Sequence, residues 1–261
     1  GGNAELAAQE TGTKFSALVA SGLVHCIFAD YRGFGWSGGA PSMWTLRSDA
    51  EAVFRALPQV LGDGDASTAW PPEGPLVIMG RSIGALCALH VSLLHAAEVS
   101  ALVLDSPVAC QWPLELVPGE HWEAIGRQLP ALRPANRRLF CRCCPDGAGA
   151  QRSREVVTLD PVDLARCLAA VAPHLRLLLL AGAADDLCPP PSIELLLDAF
   201  VADRKQECWL EGLGHNQVSG SPRYWQVLEQ FLRQLAAGGA GAAQDAPREA
   251  PGEPRPLCAL S

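Results

Sequence analysis

One short motif restricts the possible folds of this chain more than any other feature: Gly80-Arg81-Ser82-Ile83-Gly84. It follows an apolar, strand-like segment at 76–79 and leads directly into a segment of helical character at 83–96. A strand passes into a helix within so few residues only through a sharp turn, and the flanking glycines let the backbone pass close to the central residue. The motif therefore predicts that Ser82 lies on a strained strand-to-helix turn with its hydroxyl exposed.

Strand-like apolar runs alternate with helical patterns along the rest of the chain. This alternation is typical of a parallel sheet with crossover helices, and it predicts an α/β fold. The predicted strands are 24–29, 76–79, 101–104, 175–180 and 207–210, and the predicted helices are 46–61, 83–96, 191–201 and 223–235.

Two regions interrupt the alternation. Residues 108–160 carry scattered Pro, Trp, Arg and Cys with weak helical patterning, which indicates an inserted lid. Residues 237–261 are rich in Gly, Ala and Pro without apolar side chains to pack, which predicts a disordered tail. We therefore expect a folded core made of 1–107 and 161–236.

Composition and charge disfavour several classes of protein. Apolar residues make up 49% of the 261 positions, enough to bury a core. The net charge is -8 and no block of Lys and Arg occurs, so we expect no nucleic-acid partner. No apolar run reaches the roughly 18 residues that a membrane-spanning helix needs.

The ten cysteines are spaced irregularly. Cys141, Cys143 and Cys144 form a cluster, but no second cluster has the spacing of zinc ligands, so we expect no metal site. A chain of this size does not need disulfides to fold, and we expect a reducing compartment.

A second match to G-x-S-x-G begins at Gly35 and centres on Ser37. Ser37 stands seven residues after Asp30 at the end of the predicted strand, and Pro41 follows in a glycine-rich stretch. This context is typical of a loop serine, so Ser82 is the predicted nucleophile.

A serine nucleophile needs a base and an acid that orients the base. Among the six histidines, His215 lies in a glycine-flanked loop directly after the last predicted strand, where an imidazole can reach over a pocket. For the acid, Asp185 and Asp186 both follow the strand at 175–180, at the sheet edge where α/β proteins build their sites. Asp105, after the strand at 101–104, is a further alternative.

Four features together resemble the α/β-hydrolase superfamily. The order Ser, Asp, His is the order of that family. The stretch FADYRGFGWSGGAPS is similar to its D-Y-R-G-x-G-x-S-x-G-x-P-S loop, GNAELAA is similar to its H-G-N-A-E oxyanion loop, and LLAGAADDLCP is similar to its acid-bearing turn. The chain most resembles the branch that holds depalmitoylase-like acyl-protein thioesterases, Bem-type hydrolases and serine aminopeptidases.

The resemblance implies a role for each residue. Ser82 is the nucleophile, His215 is the base, and Asp185 rather than Asp186 falls on the position of the acid. The backbone N–H groups of Ile83 and Asn3 are implied to form the oxyanion hole. The family requires no metal or organic cofactor. Its third strand would end just before residue 1, so we expect this chain to be a fragment that lacks N-terminal strands.

Three functions are compatible with these residues. The first is an ester or thioester hydrolase acting on a small-molecule or lipidated acyl substrate, with the acyl chain under the lid. The second is a peptidase of the same fold, and the third is a binding protein that has the fold without catalysis.

The last four residues, Cys258-Ala259-Leu260-Ser261, fit a C-terminal prenylation signal with a preference for farnesyl. A single prenyl group gives only reversible membrane binding. We expect a cytoplasmic protein, with two readings of this ending: a lipid on Cys258 that gives reversible membrane association, or a chance match, since the chain is rich in cysteine and upstream basic residues are sparse.

Overall fold

The computed structural model describes residues 15–39, 45–61, 74–109 and 161–242. Most of the predicted lid, from residue 110 to 160, lies outside the described residues, and so does the tail from residue 243 onward.

The described residues form a parallel four-stranded sheet with helices on both faces. The strands, which lie side by side in chain order, are β1 (Leu76–Arg81), β2 (Val99–Asp105), β3 (Arg176–Gly182) and β4 (Lys205–Leu210). The helices are α1 (Phe15–Ala20), α2 (Leu46–Leu61), α3 (Gly84–Leu94), α4 (Pro161–Val171), α5 (Pro190–Leu197) and α6 (Pro222–Ala242). The predicted α/β fold is confirmed.

The two faces of the sheet bury different side chains because neighbouring residues of a strand point in opposite directions. On β3, Leu177 and Leu179 pack in one apolar cluster with α2, α3, α4 and α5. Leu178 and Leu180 pack in a second cluster, on the opposite face, with α1 and α6. All four leucines are fully buried, which explains why this strand reads as a continuous apolar run.

The pairing of the parallel strands brings their carboxyl ends to one edge of the sheet. Arg81 at the end of β1 pairs with Asp105 at the end of β2, and Gly182 at the end of β3 pairs with Leu210 at the end of β4. The loops that follow the strands therefore begin close together, at the edge where parallel sheets carry their sites.

The predicted strand at 24–29 is wrong, because this segment is not part of the sheet and the described sheet has four strands rather than five. A β-strand needs a neighbour to pair its backbone N–H and C=O groups. Within the described residues, β1 is the edge strand and no strand adjoins its other side. Apolar side chains of the segment pack instead on the second cluster and its helix: Val24 lies against the cluster, and the ring of Phe28 lies against Phe15 of α1.

Three predicted helices end at other residues than expected: α3 ends at Leu94 rather than at residue 96, α5 at Leu197 rather than at 201, and α6 at Ala242 rather than at 235. Helix α6 continues to Ala242, past the predicted boundary of the core at residue 236, through three alanines, which favour a helix, and three glycines, which do not. Helices α1 and α4 were not predicted. In α4 the apolar residues Leu164 and Leu168 recur at helical spacing and are buried. Helix α2 has the predicted bounds.

In the described ranges, no helix combines the length and the apolar character needed to cross a bilayer.

Candidate active site

Ser82 lies between β1 and α3 with a φ of +51°, in the left-handed region that non-glycine residues rarely adopt. Three backbone hydrogen bonds hold this conformation. The N–H of Ser82 donates to the carbonyl of Asp105 at 2.9 Å, and its carbonyl accepts from the N–H groups of Ala85 and Val108, each at 3.1 Å. The strained strand-to-helix turn predicted from the motif is therefore present.

The glycine before this turn is required by close packing. A Cβ atom on Gly80 would lie 2.5 Å from the carbonyl oxygen of Gly84 and 2.7 Å from the Cβ of Ala88. Helix α3 therefore approaches β1 at a distance that only glycine allows, and this approach determines where the turn places Ser82.

A chain of two hydrogen bonds joins the three predicted side chains. His215 Nε2 lies 2.9 Å from Ser82 Oγ, and His215 Nδ1 lies 2.8 Å from Asp185 Oδ2. An ionised Asp185 only accepts hydrogen bonds, so Nδ1 carries the proton and Nε2 accepts from the serine hydroxyl. All three residues are buried, so the prediction that the Ser82 hydroxyl is exposed is wrong: the residue is 7% exposed, because the imidazole of His215 lies against its hydroxyl. The structure thus brings the three predicted side chains together in one hydrogen-bonded chain.

The carboxylate of Asp185 is held by the turn that follows β3. Its Oδ1 accepts from the N–H of Leu187 at 3.0 Å and from the N–H of Cys188 at 2.8 Å, which leaves Oδ2 for the imidazole. Asp186, the alternative beside it, is exposed. The choice of Asp185 over Asp186 agrees with this geometry.

The loop that carries His215 packs directly on the end of β3. A Cβ atom on Gly182 would overlap the carbonyl oxygen of Leu213, and that same carbonyl accepts from the N–H of Ala184 at 3.0 Å. Within the loop, Gly214 N–H donates to Gln217 Oε1 at 2.8 Å. These contacts place the loop over the turn that carries the acid.

Of the two predicted oxyanion donors, Ile83 is described and Asn3 lies outside the described residues. Ile83 is the N-cap residue of α3, so its N–H lies at the positive end of the helix dipole, beside Ser82. This position suits an N–H group that stabilises a developing negative charge.

Ser37, the rival serine, is a loop residue. Its hydroxyl donates to the carbonyl of Asp30 at 2.8 Å, which closes the glycine-rich loop on itself. Nearby, the Arg32 guanidinium donates to the Asp49 carboxylate of α2 from Nε at 2.8 Å and 3.1 Å. These contacts stabilise the glycine-rich loop and attach it to α2.

Asp105, the alternative acid, belongs to a separate buried network. Its Oδ2 accepts from the hydroxyl of Tyr224 at 2.9 Å and lies 3.6 Å from Arg81 Nε. Burial raises the pKa of Asp105, and Arg81, Tyr224, Ser106 and His215 oppose that rise. The sequence contained one signal for this network, an aspartate at the end of the strand next to β1, but the partners come from distant segments.

Asp185, Cys188 and His215 are residue types that bind metals, and their ligand atoms lie within 4.8 Å of one another. The oxygens of Asp185 are already occupied by two backbone N–H groups and the imidazole. Hydrogen bonding therefore accounts for this cluster. The cysteines at 141, 143 and 144 lie outside the described residues.

The parallel sheet, the strained serine turn and the loops that follow β3 and β4 together define an α/β-hydrolase fold. Residues 8–219 match the family model described as serine aminopeptidase, S33, and the chain belongs to this family. The predicted resemblance is therefore confirmed.

Known proteins similar to this chain agree with that assignment. Protein Bem46 of Schizosaccharomyces pombe is 24% identical over 204 residues, which cover 78% of this chain and 56% of Bem46. The chain thus spans little more than half the length of this relative. Among solved structures, a candidate non-heme bromoperoxidase, BpoC of Mycobacterium tuberculosis, is 18% identical with a TM-score of 0.55, covering 91% of this chain and 90% of that one. A thermophilic esterase of Thermogutta terrifontis is 20% identical with a TM-score of 0.50, covering 79% of each chain. At these identities the structural likeness shows the fold.

The positive φ of Ser82 predicts an unusual order of stability among its variants. Ser82→Gly should be more stable than Ser82→Ala by about 1–2 kcal/mol, because a left-handed conformation brings the Cβ of alanine close to the following carbonyl. Chemical denaturation of both variants measures the difference. Ser48, which is exposed in α2, supplies the control. There the glycine variant should be less stable than the alanine variant by roughly 0.5–1 kcal/mol. The same order at both positions would contradict the argument.

Proposed function

We propose that this chain is a serine hydrolase that cleaves carboxylic ester or thioester bonds through an acyl-enzyme intermediate. The observation that carries the proposal is the hydrogen-bonded chain from Ser82 Oγ through His215 to Asp185, on a strained turn at the carboxyl edge of the sheet. Membership of the family makes hydrolysis the expected class of reaction.

In the first step, Ser82 Oγ attacks the carbonyl carbon while its proton passes to His215 Nε2. The resulting imidazolium carries its second proton on Nδ1, where the carboxylate of Asp185 stabilises the charge. Collapse of the tetrahedral intermediate breaks the bond to the leaving alkoxide or thiolate, which takes the proton from Nε2. Ser82 is then acylated.

In the second step, water attacks the acyl-enzyme and gives one proton to His215 Nε2. The second tetrahedral intermediate collapses, the acid is released, and Ser82 Oγ recovers its proton from the imidazolium. The hydrogen bond between His215 Nδ1 and Asp185 serves both steps, since it keeps His215 Nε2 directed at the serine.

Both tetrahedral intermediates carry negative charge on the former carbonyl oxygen. We assign its stabilisation to the N–H groups of Ile83 and Asn3. Loss of one donor of this kind typically costs about 2.7–4 kcal/mol of transition-state stabilisation. The proposed substrate is a small-molecule or lipidated acyl compound.

Fluorophosphonate labelling tests the proposed nucleophile. The probe should modify Ser82, located by mass spectrometry of the labelled peptide, because an activated serine attacks the probe's phosphorus. Ser82→Ala should abolish labelling and lower ester turnover by about 10³-fold or more. Ser37→Ala is the matched control and should label normally, since Ser37 Oγ only closes its own loop. Absence of labelling in a folded protein would favour a non-catalytic binding protein instead.

A second candidate function is peptide hydrolysis, favoured by the description of the matching family as serine aminopeptidase. It needs an acidic group to bind the substrate's amine. Glu115, Glu120 and Glu123 are the candidates in the predicted lid, and they lie outside the described residues.

Substrate panels separate the two functions. We expect a higher kcat/KM on acyl esters and thioesters of increasing chain length than on aminoacyl anilides, because no amine-binding carboxylate is needed for the former. Ser82→Ala measured on every substrate removes contaminating activity. Turnover confined to substrates with a free amino group would replace the esterase proposal with the peptidase.

We propose cytoplasmic localisation with reversible membrane association through a farnesyl group on Cys258. Mass spectrometry of the C-terminal peptide, from protein made in a eukaryotic host, should show the added mass of one farnesyl group. Cys258→Ser should lack it. An unmodified wild-type peptide would remove this part of the proposal.

A further inference from the structure

The side chain of Arg81 joins three parts of the site. Its Nε lies 3.6 Å from Asp105 Oδ2 at the end of β2. Its Nη2 donates to the carbonyl oxygen of His215 at 3.5 Å and to Asn216 Oδ1 at 3.3 Å. Arg81 directly precedes Ser82, so its guanidinium connects the serine turn to the end of the neighbouring strand and to the loop that carries the imidazole.

Asp105 determines where this guanidinium lies. The Asp105 side chain is 2% exposed, and an ionised carboxylate at such depth is strongly destabilising without a cation and hydrogen-bond donors. Arg81 supplies the positive charge and Tyr224 supplies a hydroxyl donor. The planar guanidinium offers several donors in a fixed geometry, so one edge faces Asp105 while Nη2 reaches the loop.

We infer that Arg81 and Asp105 form a positioning pair that keeps loop 211–217 in place, so that His215 Nε2 stays within hydrogen-bonding distance of Ser82 Oγ. Asp185 orients the imidazole ring through Nδ1, whereas Arg81 holds the backbone of the same residue through its carbonyl oxygen. The two contacts act on different parts of His215. The inference rests on the proposed hydrolase function, since positioning matters only if the serine reacts.

A direct contact between Arg81 and substrate is a different role that the geometry disfavours. The Arg81 side chain is only 13% exposed, its Nη2 donates to two acceptors of the histidine loop, and its Nε faces the carboxylate of Asp105. Arg81 is therefore assigned as a positioning residue and not as a catalytic residue.

Replacing the guanidinium by an uncharged chain tests the inference. Arg81→Met should lower kcat for a good ester substrate by about 10- to 100-fold while KM changes by less than about threefold, because a small displacement of a catalytic group slows the chemical step more than binding. Hydrogen exchange followed by mass spectrometry should show faster exchange of the amides of loop 211–217. This second readout does not depend on activity.

Two companion variants separate positioning from folding. Arg81→Met combined with Asp105→Asn removes both charges, so it leaves no unpaired buried carboxylate and should recover melting temperature without recovering kcat. Arg81→Lys keeps a positive charge beside Asp105 but lacks the planar fork, so it should recover stability more than kcat.

Arg233 supplies the matched control. It forms an exposed ion pair with Glu229 within α6, so Arg233→Met should leave kcat and loop exchange unchanged.

The kcat and the loop exchange of these variants test the positioning role and the Arg81 contact separately. Faster loop exchange with wild-type kcat in Arg81→Met would overturn the positioning role, and unchanged exchange would overturn the contact itself. Recovery of kcat in the double variant would show that the loss came from the unpaired charge, which also overturns the proposal. If wild-type protein lacks Ser82-dependent turnover, the proposed function fails, while the exchange measurement still tests the contact with the loop.

Discussion

The backbone hydrogen bonds beyond the carboxyl ends of the strands determine the geometry of the site. Ser82 N–H donates to the carbonyl of Asp105, and Ser106 N–H donates to the carbonyl of Leu180, each at 2.9 Å. Both serines have positive φ and directly follow neighbouring strands. The ladder of the parallel sheet thus continues for one residue past β1 and β2 and stabilises strained backbone there. The reactive serine is placed by the sheet itself, and the other groups are placed relative to it.

Two buried carboxylates lie at this edge, and their partners give them different functions. Asp185 accepts two backbone N–H groups and one imidazole nitrogen, so its charge is available to the histidine that contacts Ser82. Asp105 is paired with Arg81 and Tyr224, so its charge is neutralised within the protein framework. A buried carboxylate is stable only with partners that offset its charge. The partners of these two carboxylates include groups from the serine turn, the acid turn and the histidine loop, so these three segments are held together.

Prediction from sequence succeeded where a residue's neighbours along the chain determine its structure. The motif around Ser82 and the amphipathic pattern of α2 are local signals, and both were predicted correctly. The segment at 24–29 has strand-like composition, but a strand also requires a partner, and composition carries no information about partners. The end of α6 was misplaced because alanine and glycine together are compatible with both helix and tail.

The sequence by itself determined the α/β class, the identity of the serine turn, His215 as the candidate base and a short set of candidate acids, because glycine spacing, strand ends and residue order are read along the chain. Tertiary structure alone decided that Asp185 rather than Asp105 contacts His215, and that Arg81 connects Asp105 to the histidine loop. These pairings join residues separated by up to 134 positions. They depend on strand register and loop packing, which bring side chains together in space without a corresponding pattern in the sequence.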